Sequence, residues 1–171
     1  MKTILVTGPI GSGKSEVCRY LRSEGYAVYD SDSRTKALYE SVPGLKSRIE
    51  EELGVPFSGI GIIFSDADKR ARLEGIVYPI VLEDMEKWRR SVIEDGGYSR
   101  DRIFIESAVA LDKPMFDGLF DEVWLVDAPF EQRVARNPKA RERDSIQHFD
   151  PDRVTRVIIN DTTLDNLYRQ I

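Results

Sequence analysis

Gly8-Pro9-Ile10-Gly11-Ser12-Gly13-Lys14-Ser15 is the stretch of this chain whose residue types and spacing could do chemistry most directly. It has the G-x-x-x-x-G-K-S pattern of a phosphate-binding P-loop and lies between a short apolar run, Ile4-Leu5-Val6, and a helix-period segment. Gly8 and Gly13 fall where the backbone must turn tightly and approach phosphate oxygens, so that successive N–H groups point inward. The following helix adds the positive end of its dipole. Lys14 would reach the β- and γ-phosphates, and the Ser15 hydroxyl would ligate Mg²⁺. The segment from Gly8 to Glu16 is therefore assigned to a magnesium nucleoside triphosphate.

The elements that must hold such a loop are readable around it. Short β-branched and aromatic runs at Ile4–Val6, Tyr26–Tyr29, Ile103–Ile105, Val123–Val126 and Val157–Ile159 alternate with helical stretches. They predict five buried strands in a parallel, doubly wound α/β sheet flanked by helices. Val17, Cys18 and Leu21 form the inward face of the first helix, which Gly25 ends. On that face Cys18 reads as a buried small hydrophobe. In such sheets ligands gather at the carboxyl ends of the strands. Acids and amides recur there: Asp30 and Asp32, Glu106, Asp127, and the pair Asn160-Asp161.

With 171 residues, 41% hydrophobic and 32% charged, the chain is expected to form one domain. The net charge of −5 argues against a general nucleic-acid or membrane-surface binder. Small soluble partners and a monomer or weak oligomer are expected. One cysteine allows no internal disulfide, and no N-terminal run has the length of a signal peptide or membrane span, so a cytoplasmic location is expected.

Residues 33–97 contain no convincing strand and read as a helical insertion. A long helix runs from Ala67 past Trp88 after an Asp66 cap, and Pro79 should kink it. Residues 133–152, rich in Arg and Asp, predict a mobile surface loop over the site. Arg136, Arg141 and Arg143 from this loop could neutralise phosphate charge in the transition state. His148, the only histidine, reads as a surface residue, and Trp88 and Trp124 as packing residues. Arg34 and Lys36, just beyond the acidic pair, could meet phosphates of an acceptor. Glu106 could hold magnesium through water as a strand-end acid. Neither Asn-Lys-x-Asp nor Asp-x-x-Gly occurs, which speaks against a GTPase switch.

Along its whole length the chain resembles the dephospho-coenzyme A kinases, P-loop kinases that phosphorylate the ribose 3′-hydroxyl of dephospho-CoA with ATP. Thr7 to Ser15 is similar to that family's TGGIGSGKS. Tyr29-Asp30-Ser31-Asp32 followed by Lys36 is similar to its IDAD with a basic residue four positions on. Leu73 to Pro79 resembles its LE-x-I-x-HP segment, and Val123 to Pro129 its VLVVDAP strand. Arg143 to Gln147 fits its R-x-x-x-Q spacing, and Val157 to Asp161 its YVIDN ending.

The resemblance implies a P-loop kinase with a helical acceptor-binding insertion and a lid. Asp32 would be the catalytic base, aided by Lys14 and Arg143. On the chemistry of the residues themselves, Arg136 and Asn160 are assigned to the nucleotide, and Asp30, Asp32, Lys36, Tyr78 and Glu106 to the acceptor. Ser15, Asp30 and Glu106 would serve the Mg²⁺. Four departures stand out. Tyr78 replaces a usual His, Glu106-Ser107-Ala108 replaces an Asp-Ile-Pro-like sequence, the terminal Asp-Asn is reversed, and the lid is shorter. The helical insertion and lid are the parts of P-loop kinases that choose the acceptor, so a nucleotide or other small-metabolite kinase, or a degenerate ATP-binding homologue, stands as the alternative.

Overall fold

The computed structural model describes residues 1–96 and 101–171, with the side chains of all of these but 62–65. Five strands, β1 (Lys2–Thr7), β2 (Ala27–Asp30), β3 (Arg102–Glu106), β4 (Glu122–Asp127) and β5 (Arg156–Ile159), form one sheet in the order β2-β3-β1-β4-β5. Every pairing is parallel. β1 takes the middle because Ile4, Leu5 and Val6 are apolar on both faces, and all three are fully buried. The parallel register sets Asp30 beside Glu106 and Asp127 beside Ile159, so the carboxyl ends of the strands share one edge.

All five expected strands are present, but not all are buried. In β5 only Ile158 is buried, and Val157 is half-exposed, because β5 is an edge strand paired on one side alone. Period-2 apolar residues look alike in a central strand and at an edge.

Helix α1 (Lys14–Ser23) buries Val17, Cys18 and Leu21 against the sheet. It stops as expected: Gly25 adopts φ +85°, its N–H donates to Arg22 and that of Tyr26 to Leu21, which closes the orphan carbonyls of the last turn. Trp124 packs edge-on to Phe104 in the same core, and Trp88 is half-buried.

The chain divides into two compact units, Met1–Asp30 with Arg89–Ile171, and Ser31–Trp88. The second unit is all helical, as expected of the insertion: α2 (Ser31–Ser41), α3 (Leu45–Leu53), a 3₁₀ stretch (Phe57–Ser65) and most of α4 (Ala67–Asp95). Its core joins Leu45, Ile49 and Leu53 of α3 to Leu73, Ile76, Val77 and Val81 of α4. Asp66 caps α4 by accepting from the Lys69 N–H at 3.1 Å, and Pro79 lies inside the helix. The unit ends at Trp88, short of the expected boundary at residue 97, which itself lies outside the described residues. A helix that continues through a boundary leaves no break in periodicity to mark it.

The expected loop at 133–152 is folded instead into helical turns. These are the end of α5 (Phe130–Arg136), α6 (Ala140–Arg143) and two 3₁₀ turns, with Ala140 and Arg133 buried. A final helix, α7 (Leu164–Tyr168), starts on a Thr163 cap. No helix among the described residues is long and apolar enough to cross a membrane.

Candidate active site

The P-loop runs from the end of β1 into α1, and its glycines are demanded by the fold as well as by a ligand. Gly8 has φ +147°, and a Cβ there would lie 2.0 Å from the Val126 carbonyl oxygen of β4. Gly13 has φ +104°, and its Cβ would lie 2.2 Å from Asn160 Nδ2. At these two positions the space that a Cβ would need is occupied by protein.

Lys14 donates from Nζ to the carbonyls of Gly8 and Pro9 at 2.8 and 3.1 Å, so its ammonium lies against the loop. Ser15 Oγ donates to Glu106 Oε1 at 2.7 Å, uniting the expected metal-binding hydroxyl with the strand-end acid from β3. Burial pushes the Glu106 carboxyl above its ordinary range, and the neighbouring Asp30 charge adds to this, while the Ser15 hydroxyl opposes it. Cys18 is buried, hydrogen-bonds to Glu106, and has its thiol pushed up chiefly by desolvation. Asp30, Glu106 and Ser15 thus converge.

These residues fit a magnesium triphosphate. Thr7 Oγ1 and Ser12 Oγ are buried without a hydrogen-bond partner beside the loop, a lysine lies on it, and a hydroxyl sits next to two carboxylates. Among the described residues no three His, Cys, Asp or Glu side chains cluster as metal ligands. Magnesium needs none, since one or two carboxylates with phosphate oxygens and water suffice.

Other residues of the expected nucleotide site also contact protein. Glu16 accepts from Arg19, at 2.5 Å from Nη2, and from the Tyr168 hydroxyl, and Arg19 first and Tyr168 second hold its carboxyl below the usual range. Tyr168 also stacks on Tyr20, so Glu16 belongs to the joint between α1 and α7. Asn160 is buried and braces the loop from below, donating from Nδ2 to the Ser12 carbonyl at 2.9 Å. Arg136 donates to the Gly11 and Asn160 carbonyls at 3.3 and 3.0 Å, gripping the loop backbone. Sequence reasoning gave no role to Gln147, whose Oε1 accepts from the Ile10 N–H at 3.0 Å. The R-x-x-x-Q spacing was the signal that marked it. Arg133, also passed over, pairs with Asp144 at 2.8 Å. Arg141 is exposed, Arg143 ends α6 half-buried, and His148 is exposed as expected.

In the helical unit, Asp32 lies exposed in the first turn of α2 with Lys36 one turn on. Arg34, exposed on α2, forms a two-pronged ion pair with Asp84 at 2.6 and 2.8 Å, tying α2 to α4. Tyr78 hydrogen-bonds to Glu74 one turn earlier in α4. Burial first, then the charges of Glu74, Tyr39 and Asp32, pushes its hydroxyl far above the ordinary tyrosine value.

The chain matches no protein-family model. It is 37% identical over 145 residues to the dephospho-CoA kinase of Porphyromonas gingivalis, covering 80% of this chain and 68% of that one. With the dephospho-CoA kinase of Lactococcus lactis it shares 30% identity over 202 aligned positions, covering 97% and 93%. That alignment is longer than this 171-residue chain, so the relative carries residues absent here. The solved dephospho-CoA kinase of Campylobacter jejuni has the same fold, with a TM-score of 0.64 at 15% identity over 98% of this chain and 92% of that one. With its phosphate loop at the end of the central strand and this extent of identity, the chain belongs to the dephospho-CoA kinase family.

Proposed function

We propose that this protein transfers the γ-phosphoryl group of ATP to the ribose 3′-hydroxyl of dephospho-CoA, giving CoA and ADP in the cytoplasm. The observation that carries this reading is the P-loop whose Ser15 hydroxyl is seated on Glu106, in a chain so related to dephospho-CoA kinases. The P-loop amides and Lys14 hold the β- and γ-phosphates. Ser15, with Glu106 and Asp30 behind it, would hold Mg²⁺, which when bound neutralises phosphate charge. Asp32 takes the proton of the acceptor hydroxyl as that oxygen bonds to the γ-phosphorus, and the bond to the bridging oxygen of ADP breaks. Lys36 and Tyr78 orient the acceptor. Arg143 offsets the charge on the transferring group, and Arg136 and Asn160 serve nucleotide binding through the loop they hold.

A second reading, a kinase for a nucleotide or another small metabolite, is favoured by Tyr78 at the usual His position and by the shorter lid. ADP release measured with dephospho-CoA and with a panel of nucleoside monophosphates separates the two. Release with dephospho-CoA alone supports the first, release with a monophosphate alone supports the second, and none with any acceptor refutes both.

A further inference from the structure

The P-loop is held from outside by the segment that follows α5. Pro9 has no N–H, so Ile10 carries the first amide donor after Gly8, and that donor goes to Gln147 Oε1 across 137 residues of sequence. On the acceptor side of the same loop, Arg136 takes the Gly11 carbonyl. At the other end of the 3₁₀ turn that leads to Gln147, Asp144 is fixed by Arg133, whose guanidinium is buried, donates from Nε to the Ala128 carbonyl at 3.1 Å and lies over the Phe130 ring. Residues 144–147 are therefore bracketed between two anchored side chains, and Arg143 is the residue that enters this bracket.

We propose that Gln147 is a positioning residue for phosphoryl transfer: its bond to Ile10 fixes the tip of the P-loop and, through the bracketed turn, the station of Arg143. The phosphate grip and the arginine then move as one piece. A carboxamide suits this task because its oxygen accepts from the backbone without placing negative charge beside phosphates. The catalytic meaning of the contact rests on the kinase reading above; the contact itself does not.

Amide hydrogen exchange at Ile10, Mg-ATP affinity by direct titration, and kcat and KM for ATP test this in Gln147→Leu, Gln147→Ala and Gln147→Glu. Loss of one neutral hydrogen bond predicts faster Ile10 exchange and a three- to tenfold fall, in order of magnitude about fivefold, in kcat/KM for the Leu and Ala variants. Gln147→Glu keeps an acceptor oxygen at the same reach, so Ile10 stays protected, while its added charge weakens Mg-ATP binding. Unchanged Ile10 exchange and unchanged kcat/KM in the Leu and Ala variants would overturn the proposal. So would loss of protection in the Glu variant equal to that in Leu. A wild-type protein inactive on every acceptor would sink the kinase reading, yet Ile10 exchange and Mg-ATP affinity would still decide whether Gln147 holds the loop.

Discussion

If Asn160 braces the P-loop from below, its effect should be inseparable from that of Gly13, and a double-mutant cycle measures this. In Gly13→Ala the new Cβ meets Asn160 Nδ2 at 2.2 Å and Cγ at 3.3 Å, while the Asn160 Cβ is 3.9 Å away, an ordinary contact. The φ of +104° costs an alanine about 1–2 kcal/mol. Forcing a side chain into the buried amide adds about 1–3 kcal/mol. Asn160→Ala by itself removes the bond to the Ser12 carbonyl, about 1–3 kcal/mol. With alanine at both positions only the two Cβ atoms face each other, so the overpacking disappears and the backbone strain remains. The double variant should therefore be more stable than the sum of the singles predicts by about 1–3 kcal/mol. In thermal unfolding of the ligand-free protein this is about 2–4 °C for each kcal/mol. Additive losses would refute the brace and return Asn160 to a role against the nucleotide base.

Lys14→Ala should abolish ADP production, because the charge on the transferring phosphate loses its partner; unchanged turnover in a steady-state assay would reject the P-loop assignment. Asp32→Asn should lower kcat by at least about 100-fold with Mg-ATP affinity largely kept, as for loss of a general base, and equal losses in both would point to a structural role. Glu106→Gln should stabilise the ligand-free protein at neutral pH while impairing Mg-dependent turnover. The raised Glu106 carboxyl gives stability that is full below its unfolded titration range and lost as the pH rises through its folded value. A neutral amide removes that loss, so unfolding curves of variant and wild type should diverge upward in pH; parallel curves would count against the burial of an ionisable group there.

Much of this arrangement follows from information that is local in the chain. The P-loop, the buried face Val17-Cys18-Leu21, the Gly25 stop and the Asp66 cap each depend on residues within a turn or two, where side-chain spacing and backbone preference act directly. The five apolar runs gave the strands, and their polar ends marked Asp30 and Glu106, which lie side by side once the strands pair. Tertiary structure alone decided what depends on sheet order. With β4 and β5 on one side of β1, Asn160 arrives beneath Ser12, and Arg136 and Gln147 close on the loop from segments more than 100 residues away. It likewise turned Glu16 toward Tyr168 and Arg34 toward Asp84, roles that no local pattern encodes. A charged side chain states what it can bind, but which partner it meets is set by the packing of elements far apart in sequence.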